Sequence, residues 1–174
     1  MSSINYDLTK IKSIIFDVDG VLSPEAIPLS PTGEPLRIVN TKDGFAMQLA
    51  SKKGLLMGII TGGNSNAVKI RFESLGFRHV YLKAKNKMDA FTDYLQKTGL
   101  KPEEICYVGD DIPDYKVMEV VGLAACPADA VPEIKEIALY ISPKNGGAGV
   151  GRDIIEQVLK AQGKWMQDEE SFGW

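Results

Sequence analysis

The sequence is poor in the residue types that carry soft-metal and redox chemistry. Its 174 residues include two cysteines, Cys106 and Cys126, and one histidine, His79. No Cys or His stands at a metal-ligand spacing from another. Both cysteines lie in apolar surroundings and are read as buried thiols kept reduced. His79 opens a strand and is read as structural or solvated. Long apolar runs are also missing, and none approaches the roughly 20 residues that cross a bilayer. The opening MSSINYDLTKIKS lacks the apolar stretch of a secretory signal, so the expected location is cytoplasmic. A net charge of only −3 argues against nucleic acid or an anionic membrane as the main partner. No internal repeat or low-complexity linker breaks the chain. What remains is the balance of a globular protein, 44% hydrophobic and 25% charged. The length suits one domain over residues 1–174.

Strand-like and helix-like segments alternate. Ile11 to Phe16 reads as a buried strand. Residues 24–40 read as two extended arms around the turn Pro31-Thr32-Gly33. Thr41 is placed to cap a helix over Lys42 to Lys53, stopped by Gly54. LLMGIIT is a second strand, Asn64 to Leu75 a helix, and HVYL a third strand. Asn86 to Thr98 is a helix stopped by Gly99. ICYVGD is a fourth strand, Tyr115 to Val121 a helix, and LAAC a fifth strand. Pro132 opens another helix, LYIS is an edge strand, and KNGGAGVGR leads into a last helix to about Ala161. A polar, aromatic tail covers 163–174. This alternation predicts an α/β fold, a Rossmann-like, doubly wound parallel sheet with helices on both faces. In such sheets ligands bind at the carboxyl ends of the strands.

The chemistry-bearing residues stand at those ends. Asp17-Val18-Asp19-Gly20 follows the first strand, Thr61-Gly62-Gly63 the second and Gly109-Asp110-Asp111 the fourth, while Lys87 opens a helix. Clustered carboxylates raise one another's pKa or demand a cation. Hard oxygen donors without His or Cys suit Mg²⁺. Thr61 and the backbone N–H groups of a Gly-rich helix start favour phosphate. Lys87 adds a compact positive charge. Carboxylates, Mg²⁺ and a phosphate cradle together indicate phosphoryl transfer. One carboxylate can serve as nucleophile and a second, two residues on, as general acid and then base.

DVDGVL, TGG, NK and GDDIPD, in this order, resemble the four motifs of the haloacid dehalogenase superfamily of phosphatases, over nearly the whole chain. The resemblance implies Asp17 as nucleophile, Asp19 as acid/base, Thr61 as phosphate binder with Gly62 beside it, and Lys87 as the neutralising lysine. It implies Asp17, the Asp19 backbone carbonyl and Asp110 as Mg²⁺ ligands, with Asp111 and Asp114 supporting. Asp114 fits equally well as a cap of the helix that follows. The intervals 20–61 and 61–87 leave no room for a cap domain. Within the capless branch the chain is similar to the phosphatases of 3-deoxy-D-manno-octulosonate 8-phosphate (Kdo 8-phosphate). That likeness rests on TKDGFAMQLASKKGLLMGIITG, NKMDAF, GDDIPDYKVM, GGAGVGRD and AQGK. It implies lipopolysaccharide precursor synthesis, a small phosphorylated keto-deoxy sugar acid as substrate, and a homotetramer whose neighbours complete the sites. Pro24 and Glu25 depart from the common Thr-Asp-Gly of that branch. Gly63 stands where phosphatases of a nine-carbon keto-deoxy sugar often carry Glu, which favours the eight-carbon substrate.

Several residues stay open between roles. Arg71 is either a solvated helix residue or a partner for the substrate carboxylate. Arg152 stands at a helix start, where its charge does not help the dipole, and suggests a specific partner. Gly146, Gly147 and Gly149 form a turn or admit a close backbone approach. Trp165, Phe172 and Trp174 suggest that the tail docks, across a subunit interface near the site. A signalling receiver domain shares an acidic pair, a Thr and a Lys on a parallel sheet. Its acceptor Asp would follow the third strand, where HVYLKA has none.

Overall fold

The computed structural model describes residues 4–174. Six strands form one parallel sheet: β1 (Ser13–Phe16), β2 (Leu56–Ile60), β3 (His79–Tyr81), β4 (Ile105–Val108), β5 (Leu123–Cys126) and β6 (Tyr140–Ile141), in the order β3-β2-β1-β4-β5-β6. Strands β1, β2, β4 and β5 are almost wholly buried, which is why they read as unbroken apolar runs rather than alternating ones. Alternate residues feed two cores. Ile14, Phe16, Cys106 and Val108 pack on one face with α1 (Thr41–Lys52), α2 (Asn66–Ser74) and α6 (Val150–Ala161). Ile15, Ile105 and Tyr107 pack on the other with α3 (Lys87–Thr98), α4 (Tyr115–Met118) and α5 (Pro132–Ile137). The sheet is therefore doubly wound, as expected. Both cysteines are free and buried.

The chain runs β1 to β2 to β3 on one side, then returns to place β4 on the other side of β1. That reversal opens a crevice beyond the carboxyl ends of β1 and β4. No cap domain intervenes. Residues 20–61 hold a loop, α1 and β2, and residues 61–87 hold α2 and β3.

Three local expectations are corrected. Asn40, not Thr41, caps α1, and its side-chain oxygen accepts from Lys42 and Asp43 N–H at 2.9 and 3.2 Å. The second helix starts at Asn66, because Thr61 and Gly63 give their carbonyls to Ala84 and Lys83 N–H and stay extended. The fourth helix ends at Met118, where Val120 and Val121 N–H both turn back to the Val117 carbonyl. The arms of 24–40 meet in one bridge, Leu29 with Pro35, around the expected turn. The Gly146 Cα faces the Gly20 backbone so closely that a Cβ there would stand 2.1 Å from the Gly20 carbonyl oxygen. The close approach allowed by these glycines is thus to the loop after β1.

The tail lies on its own chain. Trp165 is buried with the Arg152 guanidinium 5.2 Å above its ring, which supplies the partner expected for Arg152. Asp168 pairs with Lys53, and Trp174 meets Phe45 edge-on while remaining 68% exposed. His79 packs edge-on against Tyr94. No described helix is long and apolar enough to cross a membrane.

Candidate active site

Asp17 follows β1 and is still on the ladder, its N–H donating to the Val108 carbonyl at 3.0 Å. Thr61 follows β2 in the same way, bonded to the Tyr81 carbonyl. Lys87 is the first residue of α3, capped by Asn86. Asp110 and Asp111 follow β4. Asp17, Asp19, Thr61, Gly62, Lys87, Asp110 and Asp111 line one open cleft with a volume of about 510 Å³. Seven of the nine candidate residues are thus brought together.

The eighth, Asp114, lies beneath the floor, fully buried. Its Oδ1 accepts from Lys87 Nζ and from the Tyr107 hydroxyl, both at 2.7 Å. Its Oδ2 accepts the backbone N–H groups of Asp110 and Asp111 at 3.1 and 3.4 Å. Asp114 therefore ties the lysine to the loop that carries the acidic pair. The cap of the short turn Ile112–Asp114 is Asp111, whose Oδ1 accepts the Ile112 N–H.

The ninth, Arg71, does not line the cleft. It lines a separate cavity of about 340 Å³ with residues of the 34–39 arm and of α2. Among the described residues its guanidinium has no hydrogen-bond or ion-pair partner. The sequence reading missed Arg37, which donates from Nε and Nη2 to the two oxygens of Asp19 at 2.7 and 2.8 Å. Nothing in the pattern of that arm marks it, because its partner lies 18 residues back. Lys85 and Asp129, also unmarked, line the cleft as well.

Electrostatics at the floor are strained. Lys87 Nζ reaches Asp17 Oδ2 at 2.5 Å, and Asp17 Oδ1 accepts the Val18 N–H. Burial, reinforced by the charge of Asp114, still pushes the Asp17 carboxyl up to about 7 against the pull of Lys87. Burial and the charges of Asp17 and Asp114 push Asp110 up to about 8. Burial lowers the Lys87 ammonium, but the two carboxylates outweigh it and hold it above its ordinary value.

Carboxylate oxygens of Asp17, Asp110 and Asp114 lie within 4.8 Å of one another. Asp114 is saturated by its four donors, whereas Asp110 Oδ1 is buried and has no hydrogen-bond partner among the described residues. An orphaned carboxylate oxygen beside a second carboxylate of raised pKa suits a divalent cation. The donor set is all oxygen, which fits Mg²⁺. Gly20 shapes this corner. Its φ of +81° is left-handed, and a Cβ there would stand 1.9 Å from the Asp110 carboxylate.

Comparison with known proteins agrees with this geometry. Residues 41–154 match the haloacid dehalogenase-like hydrolases. The chain is 41% identical over 154 residues to the 3-deoxy-D-manno-octulosonate 8-phosphate phosphatase KdsC of Escherichia coli strain K12, covering 88% of this chain and 82% of that one. The crystal structure of the corresponding phosphatase of Yersinia pestis superposes with a TM-score of 0.87 at 34% identity, over 91% of this chain and 85% of that one. The phosphatase of Moraxella catarrhalis, solved with a magnesium ion, a phosphate ion and a KDO molecule, gives 0.86 at 30% identity over 90% of each chain.

Proposed function

The chain belongs to the haloacid dehalogenase-like hydrolases, and we propose that it hydrolyses 3-deoxy-D-manno-octulosonate 8-phosphate to the free sugar acid and phosphate. One observation carries the chemistry: the buried Asp17 carboxylate, paired with Lys87, faces the same cleft as Thr61 and Asp19. An Asp17 oxygen attacks phosphorus, and the P–O bond to the sugar breaks. Asp19 gives its proton to the departing sugar oxygen. Water, losing a proton to Asp19, then attacks the aspartyl-phosphate, and the Asp17–phosphorus bond breaks to release phosphate. Thr61 and the Gly62 backbone orient the phosphoryl oxygens, and Lys87 offsets their charge. Asp17, Asp110 and the Asp19 carbonyl would hold Mg²⁺, which when bound neutralises carboxylate and phosphate charge.

The test is a panel of eight- and nine-carbon keto-deoxy sugar phosphates and simple aryl phosphates, with Mg²⁺ and after chelation. The eight-carbon substrate is expected to have the highest kcat/KM, and chelation to remove activity. A preference for the nine-carbon phosphate would reassign the substrate. Full activity after exhaustive chelation would remove the metal from the reaction.

The proposal extends to a homotetramer in a cytoplasmic pathway of lipopolysaccharide precursor synthesis. Leu29, Leu36, Ile38, Val39 and Ile70 are all exposed around the arm and α2, a patch that a second copy of the chain would cover. Arg71 borders this patch, its guanidinium without a partner among the described residues, and it serves the carboxylate of a substrate in a neighbour's cleft. Arg71→Ala is expected to raise KM for the keto-acid substrate roughly tenfold or more, the size of a lost charge-assisted bond, and to leave aryl phosphates little changed. Mixed oligomers of Arg71→Ala and Asp17→Asn subunits should recover the low KM for the keto-acid substrate that Arg71→Ala lacks, together with the turnover that Asp17→Asn lacks. Failure of mixing to restore activity, or a fully active monomer by light scattering, would overturn this arrangement.

A further inference from the structure

The general acid of such a reaction must be aimed as well as ionisable, and Asp19 has little in its own surroundings to aim it. It follows the end of a strand, and its side chain is 36% exposed. Its carboxylate accepts no bond from the described residues except the two from Arg37. A side chain so placed is free to rotate among its staggered wells. The two parallel N–H···O bonds of the guanidinium remove that freedom. They set both the direction and the plane of the carboxylate, which one ammonium contact would not do.

Arg37 is itself well placed to act as a fixed support. Its side chain is only 10% exposed. The guanidinium lies against the Cα of Gly63, where a Cβ would stand 2.5 Å from Nη2 and 3.4 Å from Thr61 Oγ1. Residue 63 has an ordinary backbone conformation, so the glycine is not there for a left-handed φ. It leaves the space that Arg37 fills. The cradle after β2, the arm around Arg37 and the carboxylate after β1 are thereby locked to one another.

We infer that Arg37 is a positioning residue that aims Asp19 at the leaving-group oxygen, and that Gly63 leaves the room in which the guanidinium makes that contact. The inference rests on Asp19 being the acid, as proposed above. It also gives Gly63 a function inside its own chain, separate from any reading of sugar length.

A leaving-group series separates the two claims. Aryl phosphates running from nitrophenyl to unsubstituted and alkyl-substituted phenyl depend increasingly on protonation of the departing oxygen. None carries a carboxylate that Arg37 could bind. The quantity to follow is kcat/KM, which reports only the steps up to cleavage of the P–O bond. Asp19→Asn should steepen its dependence on leaving-group pKa. Arg37→Gln and Gly63→Ala should steepen it in the same sense, losing roughly tenfold more on the poorest leaving group than on the best, part of the effect of a general acid. Arg37→Lys should fall between Arg37→Gln and the parent. The Arg37→Gln/Gly63→Ala double variant should be no steeper than Arg37→Gln, since both changes empty the same contact. Circular dichroism and melting temperatures check that each variant is folded. If Asp19→Asn steepens the series and the folded Arg37 and Gly63 variants lose activity evenly across it, the positioning role is overturned and Asp19 remains the acid. If Asp19→Asn itself loses activity evenly, the assignment of the acid fails and the inference fails with it.

Discussion

Asp17→Asn is expected to lower turnover by four orders of magnitude or more, about 5.5 kcal/mol of barrier, and to leave the fold intact. The amide is nearly isosteric with the carboxylate, so the end of β1 keeps its packing. It cannot form the phosphoenzyme. The fold should survive because Lys87 retains Asp114 at 2.7 Å. The sign of the pH dependence follows from burial. Burial, with the charge of Asp114, pushes the Asp17 carboxyl up to about 7, above the ordinary value near 4. The folded state therefore holds this proton more tightly than the unfolded one. Its contribution to stability is complete below about pH 4 and is lost as pH rises through about 7. In the metal-free protein, Asp17→Asn should melt at or above the parent's temperature at pH 8, and the difference should shrink or reverse towards pH 5. Substantial turnover by the folded variant would end the nucleophile assignment. If the metal-free variant loses as much stability as the parent between pH 5 and pH 8, the account of the floor charges is contradicted.

The features legible in the sequence are those written locally. Apolar runs of four or five residues ending at Asp-x-Asp-Gly, Thr-Gly-Gly and Gly-Asp-Asp declare both the parallel strands and the edge where they act. Strand period, turn chemistry and strand-end position all point the same way there. Glycines 54, 76 and 99 mark helix ends because each adopts a left-handed φ that a branched residue resists. Features that depend on a distant partner were not legible. Arg37 sits between Leu36 and Ile38 on an irregular arm, and only the folded chain places it on Asp19. Arg71 has the right charge and spacing for a site residue, yet α2 turns it towards another cavity. Tyr107 reads as one more apolar residue of β4, although its hydroxyl completes the bonding of Asp114. The carboxylate of Asp43 belongs to α1 by sequence, but its Oδ1 accepts the Arg152 N–H at the start of α6. Such pairings are set by packing across the sheet and carry no local periodicity.

Asp114 is where the local and the distant meet, and its removal should be the most damaging single change to stability. Asp114→Ala strips acceptors from four donors at once: the Lys87 ammonium, the Tyr107 hydroxyl and the N–H groups of Asp110 and Asp111. Each lies in or beside the floor, where water cannot fully replace the lost partner. Breaking a buried ion pair by deleting one member costs about 3–5 kcal/mol. For a chain of this size that corresponds to a fall in melting temperature of about 10 °C. Gly109 shows how tightly the group is held, since a Cβ at that position would stand 2.4–2.8 Å from Asp114 atoms. Asp114→Asn is the informative companion. It keeps the volume but turns one acceptor into a donor facing either the ammonium or two backbone N–H groups, so it too should destabilise, by less than the alanine. Activity should fall in both variants beyond what partial unfolding explains. In the alanine variant Lys87 would keep only Asp17 as a partner and the loop carrying Asp110 would lose its tether; the asparagine would lose one of these two contacts. The check is melting temperature together with turnover measured well below the transition. If Asp114→Asn melts with the parent and turns over normally, Asp114 is only a local turn residue and the four-donor hub has no energetic weight.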